Sequence, residues 1–150
     1  MKITKGSQKL INLIKKFEGC KLEAYKCPAG IPTIGYGSTL YANGQRIKLG
    51  DKITQQEADK LLLDTLSTYE LFVDANTRDD INQSQFDALV DFAYNCGNGN
   101  LKSSTLLKKV NENPLNPTIK DEFMKWTRAN GKVMNGLINR RKAEVEVYFS

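Results

Sequence analysis

The chain has 150 residues, 40% of them apolar and 26% charged, which is the balance of an ordinary soluble globular protein. Its 22 basic against 17 acidic side chains leave a net charge of +5, which favours polyanionic partners such as nucleic acid or an anionic cell wall. Histidine is absent, which excludes Ser-His-Asp and Cys-His catalysis and imidazole zinc sites, so hydrolysis would rest on carboxylates, Cys, Lys, Tyr or hydroxyls.

The N-terminus, Met1 to Ser7, is basic but carries no apolar core or small-residue cleavage site, so no signal peptide is expected. No apolar run approaches the ~20 residues that cross a bilayer, and no transmembrane segment is expected. Ser7 can cap a first helix carrying Leu10, Ile11, Leu13, Ile14 and Phe17 at helical spacing, with Gly19 past its end. Glu18 then sits at the helix's C-terminal edge, where the helix dipole disfavours a carboxylate. Residues 24–53 change character, with glycines at 30, 35, 37, 44 and 50 and β-prone pieces at Thr33–Tyr36 and Gln45–Ile47. Asn43-Gly44 is a strong hairpin signal, and a small twisted antiparallel sheet is expected here.

Thr54-Gln55-Gln56-Glu57 reads as a capping box that opens a long helix to about residue 75. From there the pattern is helical throughout. Asn82 or Ser84 starts a helix closed by Gly97, and Ser103-Ser104 caps a short one. Asn116-Pro117 starts another carrying Phe123 and Trp126, and the last runs from about Asn135 to Tyr148. Cys20, Cys27 and Cys96 form no C-x-x-C pattern and are read as free thiols. The expected fold class is α+β: a small antiparallel sheet lobe (about 18–54), a connecting helix (about 54–75), and a larger helical lobe (about 76–150) that includes the first helix.

The chemistry-bearing stretch is Glu18-Gly19, then Ala24 through Gly30, then Thr33-Ile34-Gly35-Tyr36-Gly37. An acid closing a helix is followed nine residues on by Cys27 and six further by Thr33, both in a glycine-rich hairpin that can fold back over the acid. Such a pair of faces can flank a glycosidic bond, one group protonating the leaving oxygen while another directs water. Taken singly, Cys27 would more often be a small half-buried residue and Thr33 a plain strand residue.

These residues resemble the phage-type lysozymes of glycoside hydrolase family 24. The resemblance continues through Ile53-Thr54 to Glu57-Ala58, Gln85 to Gly97, Ser104-Thr105-Leu106 and Gly136 to Arg141, essentially the whole chain. It implies a single lysozyme-like domain with the glycan in a cleft between lobes, and Glu18 as general acid. Thr33 would help to position water, Tyr94 and Asn95 would line the glycan site, and Arg140 would orient the acid, with Arg141 as its alternative. Relatives usually carry Asp where this sequence has Cys27, which can act as nucleophile, weak base or polar neighbour of the water. Ser38 replaces a frequent His, a change expected to affect local stability. Glu23 is a poorly spaced substitute for the missing Asp.

The implied activity is hydrolysis of the β-1,4 bond between N-acetylmuramic acid and N-acetylglucosamine in peptidoglycan, with inversion and without metal or cofactor. The expected protein is a monomer that binds peptidoglycan, not nucleic acid, and does not insert stably in membranes. It would wait in the host bacterial cytoplasm for release to the wall by a separate holin-like protein. Two other readings stand beside it: a lytic transglycosylase, which needs only one carboxyl, and a peptidoglycan-binding protein without activity.

Overall fold

The computed structural model describes residues 2–150. Its first helix, α1 (Gln8–Glu18), buries Leu10 and Ile14 completely and ends at Gly19, whose φ of +66° suits glycine. Ser7 does not cap it through its side chain. The hydroxyl donates instead to Asp87, and only the Ser7 carbonyl serves the helix, accepting from the Leu10 amide at 3.1 Å.

Strand β1 (Lys21–Lys26) follows directly and pairs antiparallel with β2 (Pro32–Gly35). The sequence pattern anticipates β2 but not β1, whose Lys-Leu-Glu-Ala-Tyr-Lys alternates polar and apolar without turn signals of its own. The piece around Gln45–Ile47 contributes only an isolated bridge, Leu40 with Arg46. Asn43-Gly44 does turn the chain there, with the Tyr41 amide donating to Gln45 O at 2.9 Å. Below this sheet Ile34, Ile47 and Leu61 form a buried cluster joined by Ala24, Tyr41 and Ile53.

Helix α2 (Gln55–Asn76) opens with the expected capping box, Thr54 N to Glu57 Oε1 at 3.0 Å and Glu57 N to Thr54 Oγ1 at 3.1 Å. Helix α3 (Gln83–Cys96) begins with a second box built by Asn82 and Gln85 and stops at Gly97. Two short helices follow, α4 (Asn98–Ser103), which the sequence did not announce, and α5 (Thr105–Glu112), capped by Ser104. Helix α6 (Ile119–Phe123) ends before Trp126, shorter than expected.

The expectation of helix alone beyond residue 75 fails at one place. Strands β3 (Arg128–Ala129) and β4 (Lys132–Val133) make a hairpin through Asn130-Gly131, at φ 51° and 77°. Asn-Gly is the usual pair for a tight turn with two positive φ angles, a signal as strong as that at Asn43-Gly44. Helix α7 (Asn135–Tyr148) closes the chain.

The described chain separates into two compact units whose boundaries fall inside α1 and α2: Ile11–Thr68, and the residues up to Leu10 with Tyr69–Ser150. The first holds the sheet. The second is organised on α3 packed against α7, where Phe92 meets Phe123 and Trp126 edge-to-face at 5.9 and 5.4 Å. Tyr148 is buried there with its hydroxyl donating to Pro114 O at 2.7 Å.

Candidate active site

The hairpin between β1 and β2 is a tight five-residue turn. Cys27 N donates to Ile31 O at 3.0 Å and Gly30 N to Cys27 O at 2.8 Å, while Gly30 takes a φ of +80°. In β1 alternate side chains share a face, and Tyr25 lies directly opposite Thr33 of β2. Tyr25, Cys27 and Thr33 therefore project to one side of the hairpin. The Thr33 side chain is 3% exposed and its hydroxyl donates to Ile31 O at 2.9 Å. The hydroxyl's lone pairs remain as acceptors.

Cys27 is half-buried, and its thiol is held below the ordinary value. The Ile31 amide is the main cause, helped by the Ala29 amide, the Thr33 hydroxyl and Cys27's own amide, against a smaller opposing effect of burial. Backbone N–H groups close to a sulfur favour its charged form over its neutral one, which is the sense of this shift. Tyr25 reports on what surrounds this face. Its hydroxyl is raised by burial first, then by the negative charges of Glu18 and of Cys27. Coulomb effects fall with distance, so Glu18, Tyr25 and Cys27 share one electrostatic neighbourhood. Glu18 is itself half-buried. Glu23, by contrast, is exposed, and its backbone pairs in an isolated antiparallel bridge with Lys52.

Behind the hairpin, Tyr36, Gln55, Asp59 and Lys15 form a polar cluster. Gln55 Nε2 donates to Tyr36 Oη and to Asp59 Oδ1, both at 3.0 Å, and Lys15 Nζ reaches Asp59 at 3.1 Å. These bonds tie the last turns of α1 to α2 and so fix the helix end that carries Glu18. Ser38 is buried and shares a 2.7 Å hydrogen bond with Thr65.

In the other unit, Tyr94 leans on Tyr69 with ring centroids 5.2 Å apart. Asn95 accepts from Arg141 Nη2 at 2.7 Å and lines a recess of about 330 Å³. That recess also takes in Asn100, Trp126 and Arg128. Trp126 is half-buried, stands edge-to-face with Phe92 at 5.4 Å and also lines the recess.

Arg140 is 4% exposed and grips Asp91, which is fully buried, through Nε at 3.0 Å and Nη2 at 2.9 Å. Asp91 was not singled out from sequence, since an acid in mid-helix carries no signal until its partner is known. Arg141, also buried, donates to Glu144 Oε2 at 3.0 Å and to the Cys96 thiol. Burial raises Glu144 well above the usual carboxylate range, and the Asp91 charge and hydrogen bond add to it. Burial would also raise Asp91, but the bonds from Glu144 and Arg140 hold it below its ordinary value. Of the two carboxyls, Glu144 is the one whose protonated form the burial and the Asp91 charge favour.

A helix-end acid in the same electrostatic neighbourhood as a hairpin bearing a thiol and a hydroxyl, in an α+β chain, is the arrangement expected of the lysozyme class. The solved endolysin from Escherichia coli O157:H7 phage FAHEc1 superposes with a TM-score of 0.87 at 36% identity, covering 97% of this chain and 94% of that one. The endolysin of Acyrthosiphon pisum secondary endosymbiont phage 1 is 37% identical over 96% of this chain and 97% of its own. The endolysin of Bacillus phage B103 is 43% identical over 96% of this chain, which spans only 54% of that relative's length. The chain belongs to the phage lysozyme family, matching it over residues 15–144. Among the described residues no helix is long and apolar enough to cross a membrane.

Proposed function

We propose that residues 1–150 work as one lysozyme domain that hydrolyses the β-1,4 bond between N-acetylmuramic acid and N-acetylglucosamine, lysing the bacterial host. Glu18 gives its proton to the leaving glycosidic oxygen as the C1–O bond breaks. Water attacks C1 from the opposite face and loses a proton to the Cys27 thiolate, while the Thr33 lone pairs orient it. Water is thereby split between the two sugar ends, and the anomeric centre inverts. What chiefly supports this reading is the hairpin that sets Tyr25 opposite Thr33 and carries Cys27 at its turn, with the thiol held below its ordinary value beside the turn amides.

Arg140 is assigned to orienting the acid, and Tyr94 and Asn95 to binding the glycan, on the family resemblance. Asp91 fixes the Arg140 guanidinium for such a task. The net charge of +5 favours adsorption to an anionic wall. The protein acts as a monomer, without metal or cofactor, waiting in the host cytoplasm until a holin-like protein opens the membrane.

The test is purified protein on peptidoglycan, with Glu18→Gln beside it and fragments identified by mass. Wild type should release fragments with reducing ends and Glu18→Gln should release none. Anhydromuramyl ends, short by one water, would instead establish a transglycosylase. Retention on peptidoglycan without any release would leave a binding module. Normal lysis by Glu18→Gln would remove the mechanism.

A further inference from the structure

The sheet unit carries a second polar feature on the opposite face of α2 from the Tyr36–Gln55–Asp59–Lys15 cluster. At 100° per residue, Glu57, Lys60, Leu61 and Asp64 point away from Gln55 and Asp59. They line a recess of about 360 Å³ that is completed by Tyr41 and Gln45 of the loop after β2. A second recess of about 390 Å³ adjoins it, sharing Tyr41 and Gln45 and bounded by Arg46, Lys48 and Asp51.

Tyr41 is the fixed post between them. Its ring joins the Ile34–Ile47–Leu61 cluster, and its hydroxyl donates to Asp51 Oδ2 at 2.7 Å. Asp51 also accepts the Lys48 amide at 3.0 Å. The two sides of the post differ in sign. One has the carboxylates of Glu57 and Asp64 with Lys60 reaching only Asp64, at 3.3 Å. The other has the cations of Arg46 and Lys48, with the one carboxylate, Asp51, engaged by Tyr41. A polyanion would meet Glu57 and Asp64, a polycation would meet Arg46 and Lys48, and a neutral glycan would use neither set. The complementary occupant is a short chain bearing an ammonium group at one place and carboxylates at another.

We infer that the paired recesses around Tyr41 are a docking groove for the peptide stem of peptidoglycan, a short peptide with an amine side chain and free carboxylates. The groove holds the wall at a point separate from the Glu18 hairpin. The inference rests on peptidoglycan being the substrate, but it can fail independently.

The experiment titrates ¹⁵N-labelled full-length protein with the sugar-free stem peptide L-Ala-γ-D-Glu-L-Lys-D-Ala, which contains no glycosidic bond. Saturable amide shifts are expected at Tyr41, Gln45, Arg46, Glu57 and Lys60. Arg46→Gln and Glu57→Gln, at exposed positions, should each weaken binding about two- to fivefold, the size of a screened surface ion pair, and the double variant about tenfold. Glutamine still completes the capping box at residue 57, so the helix start survives. On intact cell walls the double variant should raise KM with kcat unchanged, and on peptide-stripped glycan strands it should match wild type. No shifts with the peptide, or groove shifts with glycan strands or a polyglycerol phosphate instead, would overturn the inference. A Glu18→Gln enzyme that still lyses walls would sink the catalytic reading while leaving the peptide titration untouched.

Discussion

Replacing Asp91 with alanine removes the carboxylate that two Arg140 hydrogen bonds reach, at a position with no solvent exposure. Breaking one side of a buried ion pair costs about 3–5 kcal/mol. For a chain of this size each kcal/mol moves Tm by about 2–4 °C, so the fall at acid pH should be roughly 6–20 °C. The cost should also depend on pH, with a definite sign. Glu144 is raised in the folded wild type, by burial and by the Asp91 charge. A raised carboxyl contributes stability that is complete below its unfolded pKa and is lost as pH rises toward the folded one. Without Asp91 the main charge opposing Glu144 ionisation is gone, while Arg141 remains beside it at 2.7 Å. Glu144 then ionises more readily, compensates part of the buried positive charge and loses its unfavourable slope. The gap in Tm between wild type and Asp91→Ala should therefore be widest near pH 5 and narrow toward pH 8, read by calorimetry. A gap that widens with pH, or one below about 3 °C at pH 5, would refute this account of the network.

Two further predictions concern turns and tyrosines. Gly131→Ala places a side chain at φ +77° in an open turn and should cost about 1 kcal/mol, visible as a Tm lower by about 2–4 °C in a thermal melt. Tyr41 is raised to about 12, by its bond to Asp51 and then by burial, so Tyr41→Phe should delete a late step from the alkaline absorbance titration. The stability of this bond is full below the ordinary tyrosine pKa and lost as pH climbs toward 12. On the acid side Asp51 is lowered, by Tyr41 and then by the Lys48 amide, so stability present above the ordinary carboxylate pKa fades as pH drops through its folded value. Tyr41→Phe should flatten both slopes.

Features written in consecutive residues were legible in the sequence. The Thr54–Glu57 box, Gly19 and Gly97 at helix ends, Asn82 as one of two offered helix starts and Ser104 of the Ser103-Ser104 pair all act within four residues of themselves. Ser7 failed because its hydroxyl had a better acceptor in Asp87, 80 residues away, which no local pattern could reveal. Strand β1 was missed for a related reason: its burial is weak, and what makes it a strand is β2 across the turn. The β3–β4 hairpin is different. Its Asn130-Gly131 signal was in plain view, but the helical periodicity on either side outweighed two residues of contrary evidence. In the site, spacing alone brought Cys27 and Thr33 to one hairpin. The lowering of the Cys27 thiol by the turn amides depends on how the turn folds, and Asp91 as the partner of Arg140 is a property of helix packing.

The turn amides also bear on what a carboxylate would do at position 27. Amides that stabilise a thiolate stabilise a carboxylate as well, since both are acceptor-only anions of one charge. Cys27→Asp should then keep the second group ionised and retain lysis, with the basic role available at lower pH than in wild type. Cys27→Ser keeps the size but not the anion, because a serine hydroxyl stays protonated. If Cys27 is the base, lysis should fall by about 10²–10⁴, the usual contribution of general-base catalysis. Iodoacetamide gives an independent reading. Cys27 should alkylate before Cys96, whose thiol is raised by burial against the opposing pull of Arg141. Alkylation should silence wild type and spare Cys27→Asp. If Cys27→Ser lyses walls as fast as wild type across pH 5–8, the sulfur is only a neighbour of the water, and Thr33 with the turn amides must position it without a base.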